Sequence, residues 1–143
     1  MAGKIVADTL EHSTAGSIAT NFVVKGGSKG YCHFNQAAAT DLAVNTSSSV
    51  LVDTLNTTSL TDTGTGKGTI NWTSAMSNVN YTCATGTGTV SGTAANAASL
   101  NDNDAFVTRT ASAWSFIANF SSSSADGIFD CNESICVAYG DLA

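Results

Sequence analysis

The sequence predicts an all-β protein, an antiparallel β-sandwich of jelly-roll-like or immunoglobulin-like form with an extended N-terminal arm. Several short segments alternate apolar and polar residues with the period of two expected of half-buried strands. Charged residues make up only 11% of the chain, so Ser, Thr, Asn and Gly must supply the polar surface, and these residues suit strands and loops better than helices. Proline is absent, so the turns must depend on Gly, Asn and Asp.

The predicted sandwich occupies residues 29–143, and residues 1–28 form the predicted arm. The first strand is expected over Lys29–Asn35, where Cys32 and Phe34 alternate with more polar neighbours. The second is expected over Val50–Leu55. Both segments are short, as the strands of sandwiches are.

The central stretch, residues 59–84, predicts a strand, a turn and a strand. Three glycines within Thr63–Gly68 supply the positive φ that tight turns need. Ile70 and Trp72 then point to one face of a strand, and Ser74–Asn78 reads as a short polar reversal. Because Val79, Tyr81 and Cys83 resume the alternation, a hairpin is expected from Ile70 to Tyr81 and beyond.

Three further strands are expected in the last third of the chain. They are Ala105–Ala111, Trp114–Phe120 and Ser134–Tyr139, with a loop at Ser121–Gly127. The heaviest apolar face belongs to the second of them, which should lie at the centre of the core. The residues expected to share this core are Trp114, Phe116, Phe120, Ile70, Trp72 and Val137.

Charge and hydropathy exclude two classes of partner. The net charge is −6, and no basic stripe exists of the kind that displaces counterions from a nucleic acid. No apolar run approaches the ~18 residues of a membrane helix, and the first residues lack the apolar region of a secretory signal. We therefore expect neither nucleic acid nor membrane as a partner, and we expect synthesis in a cytoplasm.

No motif for catalysis, a cofactor or a metal is recognised. His12 and His33 have no second histidine at metal-binding spacing. The acidic clusters Asn101–Asp104 and Asp126–Asp130, the latter with Glu133, could hold calcium, although a solvated loop is the simpler interpretation. A protein without enzymatic activity is expected.

Four cysteines, Cys32, Cys83, Cys131 and Cys136, allow three pairings. Synthesis in a cytoplasm favours reduced, buried thiols over structural disulfides. Cys32, Cys83 and Cys136 fall within expected strands, where a free cysteine behaves as a small apolar residue.

The predicted arm is too apolar to be a purely solvated tail. Burial of each large apolar side chain contributes roughly 1.5–3 kcal/mol, so these side chains should be covered by another subunit or another protein. The expected docking residues are Ile5, Val6, Leu10, Phe22, Val23 and Val24.

Several stretches resemble small virion proteins of tailed bacteriophages, of the fibre, tail-fibre or surface type found in phages of marine bacteria. Leu60–Tyr81 resembles their strand–turn–strand segment, and Lys29–Asn35 resembles the aromatic strand before it. Lys4–Leu10, with His12–Ser17, resembles their N-terminal attachment segment, and Gly140–Ala143 resembles their end.

The resemblance implies a structural virion protein that forms or decorates a tail or capsid fibre. A homotrimer is favoured, joined to other virion proteins through the arm, with a glycan of the host surface as a further candidate partner. Low charge favours self-association independently, because like subunits repel each other little. The alternative is a carbohydrate-binding β-sandwich module, with sugar rings stacked on Trp72, Tyr81, Trp114 and Tyr139.

Overall fold

The computed structural model describes residues 9–13, 16–20, 23, 26–36, 42–43, 51–87, 97–102, 109–121 and 126–143, and it confirms the predicted all-β class. The strands are β1 (Thr9–His12), β2 (Gly16–Ala19), β3 (Gly30–Phe34), β4 (Leu42–Ala43), β5 (Leu51–Leu55), β6 (Thr57–Gly64), β7 (Lys67–Trp72), β8 (Thr82–Thr87), β9 (Ala97–Asn101), β10 (Ala113–Ser121), β11 (Asp126–Ile128) and β12 (Ser134–Tyr139).

Two antiparallel sheets pack face to face. The first has four strands in the order β5-β3-β12-β8. The second has six strands in the order β11-β10-β7-β6-β4, with β9 also paired to β10. The strands β1 and β2 form a separate two-stranded sheet.

The core lies between the two larger sheets and is rich in aromatic rings. Phe34 of the first sheet meets Phe116 of the second at 5.4 Å between ring centroids. Trp114 lies 5.5 Å from Phe116 on the same strand. The predicted core positions Ile70, Trp72, Trp114 and Phe116 are confirmed, since all four are buried in this one cluster.

The predicted core position of Val137 is wrong. Val137 is half-buried, whereas its neighbours Cys136 and Ala138 are fully buried. Successive side chains of a strand point to opposite faces, so β12 directs its small side chains inward and places Val137 on the other face. The side chain of Phe120 lies outside the described residues.

The tight hairpin of the molecule joins β6 to β7. Its turn contains two glycines with positive φ, Gly64 at 130° and Gly66 at 66°. A Cβ on Gly66 would lie 2.7 Å from the backbone nitrogen of Phe129. The glycine-rich turn predicted at Thr63–Gly68 is therefore confirmed, and Gly66 also allows β11 to approach this turn closely.

The hairpin predicted from Ile70 to Tyr81 is wrong, because β7 and β8 belong to different sheets. The intervening segment has no strand: Val79 is exposed and Tyr81 is buried. The Tyr81 hydroxyl donates to the carbonyl oxygen of Ala113 at 2.7 Å and accepts from Trp72 Nε1 at 3.3 Å. These bonds hold the segment across one end of the sandwich.

Other differences concern short strands. Arg109–Ala111 is not a strand, and the rest of the predicted strand Ala105–Ala111 lies outside the described residues. The predicted loop Ser121–Gly127 is shorter, since Ser121 ends β10 and Asp126 begins β11. The strands β4, β9 and β11 have two, five and three residues, too few for a clear periodicity in small, polar sequence.

Candidate functional site

The expected docking residues fall mostly where the structure gives no description. Ile5, Val6, Phe22 and Val24 lie outside the described residues. Leu10 lies on β1, with its Cα opposite that of Ile18 on β2. Val23 is described, and 46% of it is exposed.

The strands β1 and β2 form an N-terminal hairpin. Among the described strands, β1 and β2 pair only with each other, from Thr9 opposite Ala19 to His12 opposite Gly16. An isolated two-stranded hairpin is at best marginally stable in water. The sequence did not predict this hairpin, because Glu11–Thr20 is small and polar and shows no alternation.

The strand β5 forms one edge of the four-stranded sheet and carries exposed apolar side chains. Val52 is 58% exposed and Leu55 is 52% exposed. On its inner side β5 pairs with β3 through Leu51 to Leu55. No described strand pairs with its outer edge, and an open edge with apolar side chains is the combination that favours pairing with another chain.

A polar network closes the end of the sandwich next to Tyr81. The Asp102 carboxylate accepts hydrogen bonds from the Arg109 guanidinium and from Trp114 Nε1. Arg109 also donates to the carbonyl oxygen of Tyr81 at 2.5 Å, and its Cζ lies 5.2 Å from the centroid of the Tyr81 ring. Burial raises the pKa of the Tyr81 hydroxyl from 10.0 to about 12. The network links Asp102, Arg109, Tyr81 and Trp114 to one another, although Arg109 Nε is buried without a hydrogen-bond partner among the described residues.

His33 lies on the outer face of the four-stranded sheet. Its Nε2 is 3.0 Å from Glu133 Oε1, and its Cα is opposite that of Asp53 on β5. Within the described part of the chain, no group of three histidine, cysteine or acidic side chains could hold a metal ion. The side chain of His12 lies outside the described residues.

In the acidic clusters considered for calcium, the described carboxylates are bonded to other groups of the protein. Asp102 is held by Arg109 and Trp114. Asp130 Oδ1 accepts the backbone N–H of Gly66 at 2.7 Å, and Glu133 pairs with His33. Asp104 and the side chain of Asp126 lie outside the described residues.

Three of the four aromatic residues considered for sugar stacking are buried. Trp72, Tyr81 and Trp114 belong to the core cluster, so a sugar ring would reach them only if the core opened. Tyr139, at the end of β12, is exposed.

All four cysteines are free, and three of them are buried. Burial raises the pKa of the Cys32 thiol from 9.0 to about 12. Burial also raises the pKa of the Cys131 thiol, while the nearby Ser134 side chain opposes that rise. The nearby Cys83 side chain, together with burial, raises the pKa of Cys136. The buried thiols are therefore protonated at neutral pH.

No helix within the described ranges is long and apolar enough to cross a membrane. Comparisons of the chain with protein-family models, with curated proteins and with solved structures gave no match.

Proposed function

We propose that the protein is a non-catalytic structural subunit of a phage virion, forming or decorating a tail or capsid fibre, with residues 1–28 as its attachment segment. The observation that carries the proposal is that, among the described strands, β1 and β2 pair with neither of the larger sheets. A hairpin that is only marginally stable alone gains most from docking on another subunit or another virion protein.

Lys29, the first residue of the proposed sandwich domain, is bonded to other parts of the sandwich. The backbone N–H of Lys29 donates to the carbonyl oxygen of Ala138 at 2.7 Å. The carbonyl oxygen of Lys29 accepts Asn56 Nδ2 at 2.8 Å. These bonds anchor the start of β3 to β12 and to Asn56, and they support a boundary between the sandwich and the attachment segment near Lys29.

Self-association is part of the proposal, with a trimer favoured. The edge strand β5 exposes Val52 and Leu55, and its one charged side chain, Asp53, is bonded to the backbone of Thr54 at 2.8 Å. Little charge opposes the approach of a like surface at this edge.

The test compares the full chain with a chain that begins at Lys29. Light scattering measures the oligomeric state of each, and incorporation into virions measures attachment. We expect the shortened chain to fold and oligomerise as the full chain does but to be absent from particles. A full-length chain in which the order of residues 1–28 is scrambled serves as the control and should also be excluded.

Two results contradict the proposal. Normal incorporation of the shortened chain would show that residues 1–28 are not the attachment segment. Unfolding of the shortened chain would show that these residues belong to the sandwich.

A further inference from the structure

Three cysteines meet on the inner face of the four-stranded sheet. Cys32 on β3 is directly opposite Cys136 on β12. On the other side of β12, Cys136 is opposite Thr85, and Cys83 lies two residues from Thr85 on the same strand, β8. Directly opposed residues, and residues two apart on one strand, share a face. Cys83 is therefore the diagonal neighbour of Cys136.

The side chains of Cys83 and Cys136 are neighbours on this face. Cys83 packs against the buried cluster that contains Cys32 and Cys136, and it is close enough to Cys136 to raise the pKa of that thiol. Diagonal neighbours across an antiparallel pair have Cα atoms roughly 7–8 Å apart, whereas a disulfide requires about 4.4–6.8 Å. A disulfide therefore requires a displacement of β8 along β12, because β8 and β12 are already paired side by side; β8 is the outermost described strand of this sheet.

The three thiols differ in their access to solvent. Cys32 and Cys136 are fully buried, and Cys83 is half-buried. The thiolate is the form that reacts with oxidants, and burial raises the pKa of Cys32 to about 12. An oxidant from solvent therefore reaches Cys83 before it reaches Cys136.

We propose that Cys83 and Cys136 form an oxidative modification site, at which a hydroperoxide converts the two thiols into a disulfide between β8 and β12. In the first step the Cys83 sulfur attacks the peroxide, the O–O bond breaks, and Cys83 becomes a sulfenic acid while water or an alcohol leaves. In the second step the Cys136 sulfur attacks the Cys83 sulfur, the S–O bond breaks, and the Cys136 thiol proton passes to the leaving oxygen, which departs as water. The hydroperoxide accepts the two electrons that the two thiols lose.

The consequence is a covalent link between β8, at the edge of the four-stranded sheet, and its neighbour β12. The disulfide would close the chain between Cys83 and Cys136, and closing a loop of this length restricts the unfolded state and stabilises the fold. β8 also touches the second sheet through Thr85 Oγ1, which donates to the carbonyl oxygen of Leu100 at 3.2 Å. A protein made in a reducing cytoplasm and then released into an oxidising medium would form this disulfide after release. The chemistry itself does not depend on the proposed function.

A second pairing competes with this one. Cys32 and Cys136 are directly opposite, and opposed Cα atoms about 4.5–5.5 Å apart lie within the disulfide range. Both side chains are fully buried, so neither meets the oxidant first. Cys131 belongs to the same buried core, but it lies before the start of β12 and has no place in the row that Cys32, Cys136 and Cys83 form across the sheet.

The experiment treats the reduced full-length protein with hydrogen peroxide and identifies the products by mass spectrometry. Trypsin places Cys32, Cys83 and the pair Cys131 and Cys136 on three separate peptides, because cleavage follows Lys29, Lys67 and Arg109. A second cleavage at Glu133 separates Cys131 from Cys136. We expect loss of the mass of two hydrogen atoms, one cross-linked peptide that joins Cys83 to Cys136, and a melting temperature several degrees higher.

The control is Cys83→Ser at the half-buried position, which should fold normally by circular dichroism and show neither the cross-link nor the rise in melting temperature. A Cys32–Cys136 cross-link, or Cys83 recovered only as sulfinic or sulfonic acid, would overturn the proposal. So would four unmodified thiols under conditions that fully oxidise a cysteine-containing peptide.

Discussion

The indole ring of Trp72 packs against the backbone of Gly30, so that a Cβ on Gly30 would lie 2.7 Å from ring carbon Cζ3. Trp72 ends β7 in one sheet, and Gly30 begins β3 in the other. The contact spans the two layers at one end of the sandwich. This position therefore requires glycine because the ring fills the space where a side chain would lie. The backbone conformation does not require glycine here, since φ at Gly30 is not positive.

Gly30→Ala should destabilise the fold. The added methyl group would overlap a ring that is buried in the core, and overpacking of this kind costs about 1–3 kcal/mol. Chemical denaturation of the variant and the parent measures the change in the free energy of unfolding.

Gly86→Ala provides the matched control for that measurement. Gly86 lies on β8, with nothing within 4 Å of an added Cβ, so its replacement should leave stability unchanged or slightly raised. Equal losses at Gly30 and Gly86 would show that the contact with Trp72 is unimportant.

The fold class was predictable because large apolar residues alternate along the strands that build the core. Ile70 and Trp72 on β7, and Trp114 and Phe116 on β10, are buried as their period of two predicts. The same rule failed for Val79 and Tyr81, which lie in no strand, whereas Cys83 lies on β8 with its side chain packed against the core. There the alternation continues across a segment that crosses from one sheet to the other, and Tyr81 is buried by its bonds to Trp72 and Ala113 rather than by a strand.

The candidate site was less predictable than the fold. Apolar residues in the N-terminal segment indicate a docking role, but the β1–β2 hairpin lacks any alternation from which it could be predicted. The contact of Cys83 with Cys136 depends on the register of β8 against β12, which is a long-range pairing that one sequence does not specify. The two thiols come together as an oxidative modification site only when the sheet has formed.

The two tryptophans should emit as buried residues. Trp72 is 5% exposed and Trp114 is 1% exposed, so the native protein should show blue-shifted fluorescence that moves to longer wavelength on unfolding. Adding glycans should leave the emission unchanged, because a sugar cannot stack on a ring inside the core. A shift on adding one glycan, abolished by Tyr139→Ala, would instead favour a carbohydrate-binding surface around that exposed ring.

Stability should fall in alkaline solution between pH 10 and about pH 12. Burial raises the pKa of Tyr81 from 10.0 to about 12, so the folded state keeps the proton that the unfolded state releases above pH 10. The stability gained from the neutral hydroxyl is present below pH 10 and is lost as the pH rises. Cys32, whose pKa is raised from 9.0 to about 12, contributes a loss of the same sign that starts nearer pH 9.

Tyr81→Phe separates these two contributions. The variant should be less stable at neutral pH, because Trp72 Nε1 loses its acceptor and an unpaired buried donor costs about 1–3 kcal/mol. Its stability should also decline less steeply above pH 10 than that of the parent. Denaturation curves at several alkaline pH values measure both effects, and identical slopes for the two proteins would contradict the assignment to Tyr81.

The carboxylate of Asp102 should stabilise the fold more than a surface carboxylate does. It accepts hydrogen bonds from Trp114 Nε1 and from Arg109, and so joins the end of β9 to the start of β10. Asp102→Ala leaves the indole N–H without that acceptor. The ion pair with Arg109 is partly exposed and contributes little by itself, so the expected loss of about 1–3 kcal/mol comes mainly from the indole N–H.

Asp141→Ala, an exposed position with the same change in charge, should change the free energy of unfolding by less than about 0.5 kcal/mol. Equal effects of the two substitutions in urea denaturation would show that only net charge matters, and that the bond from Trp114 does not hold β9 to β10.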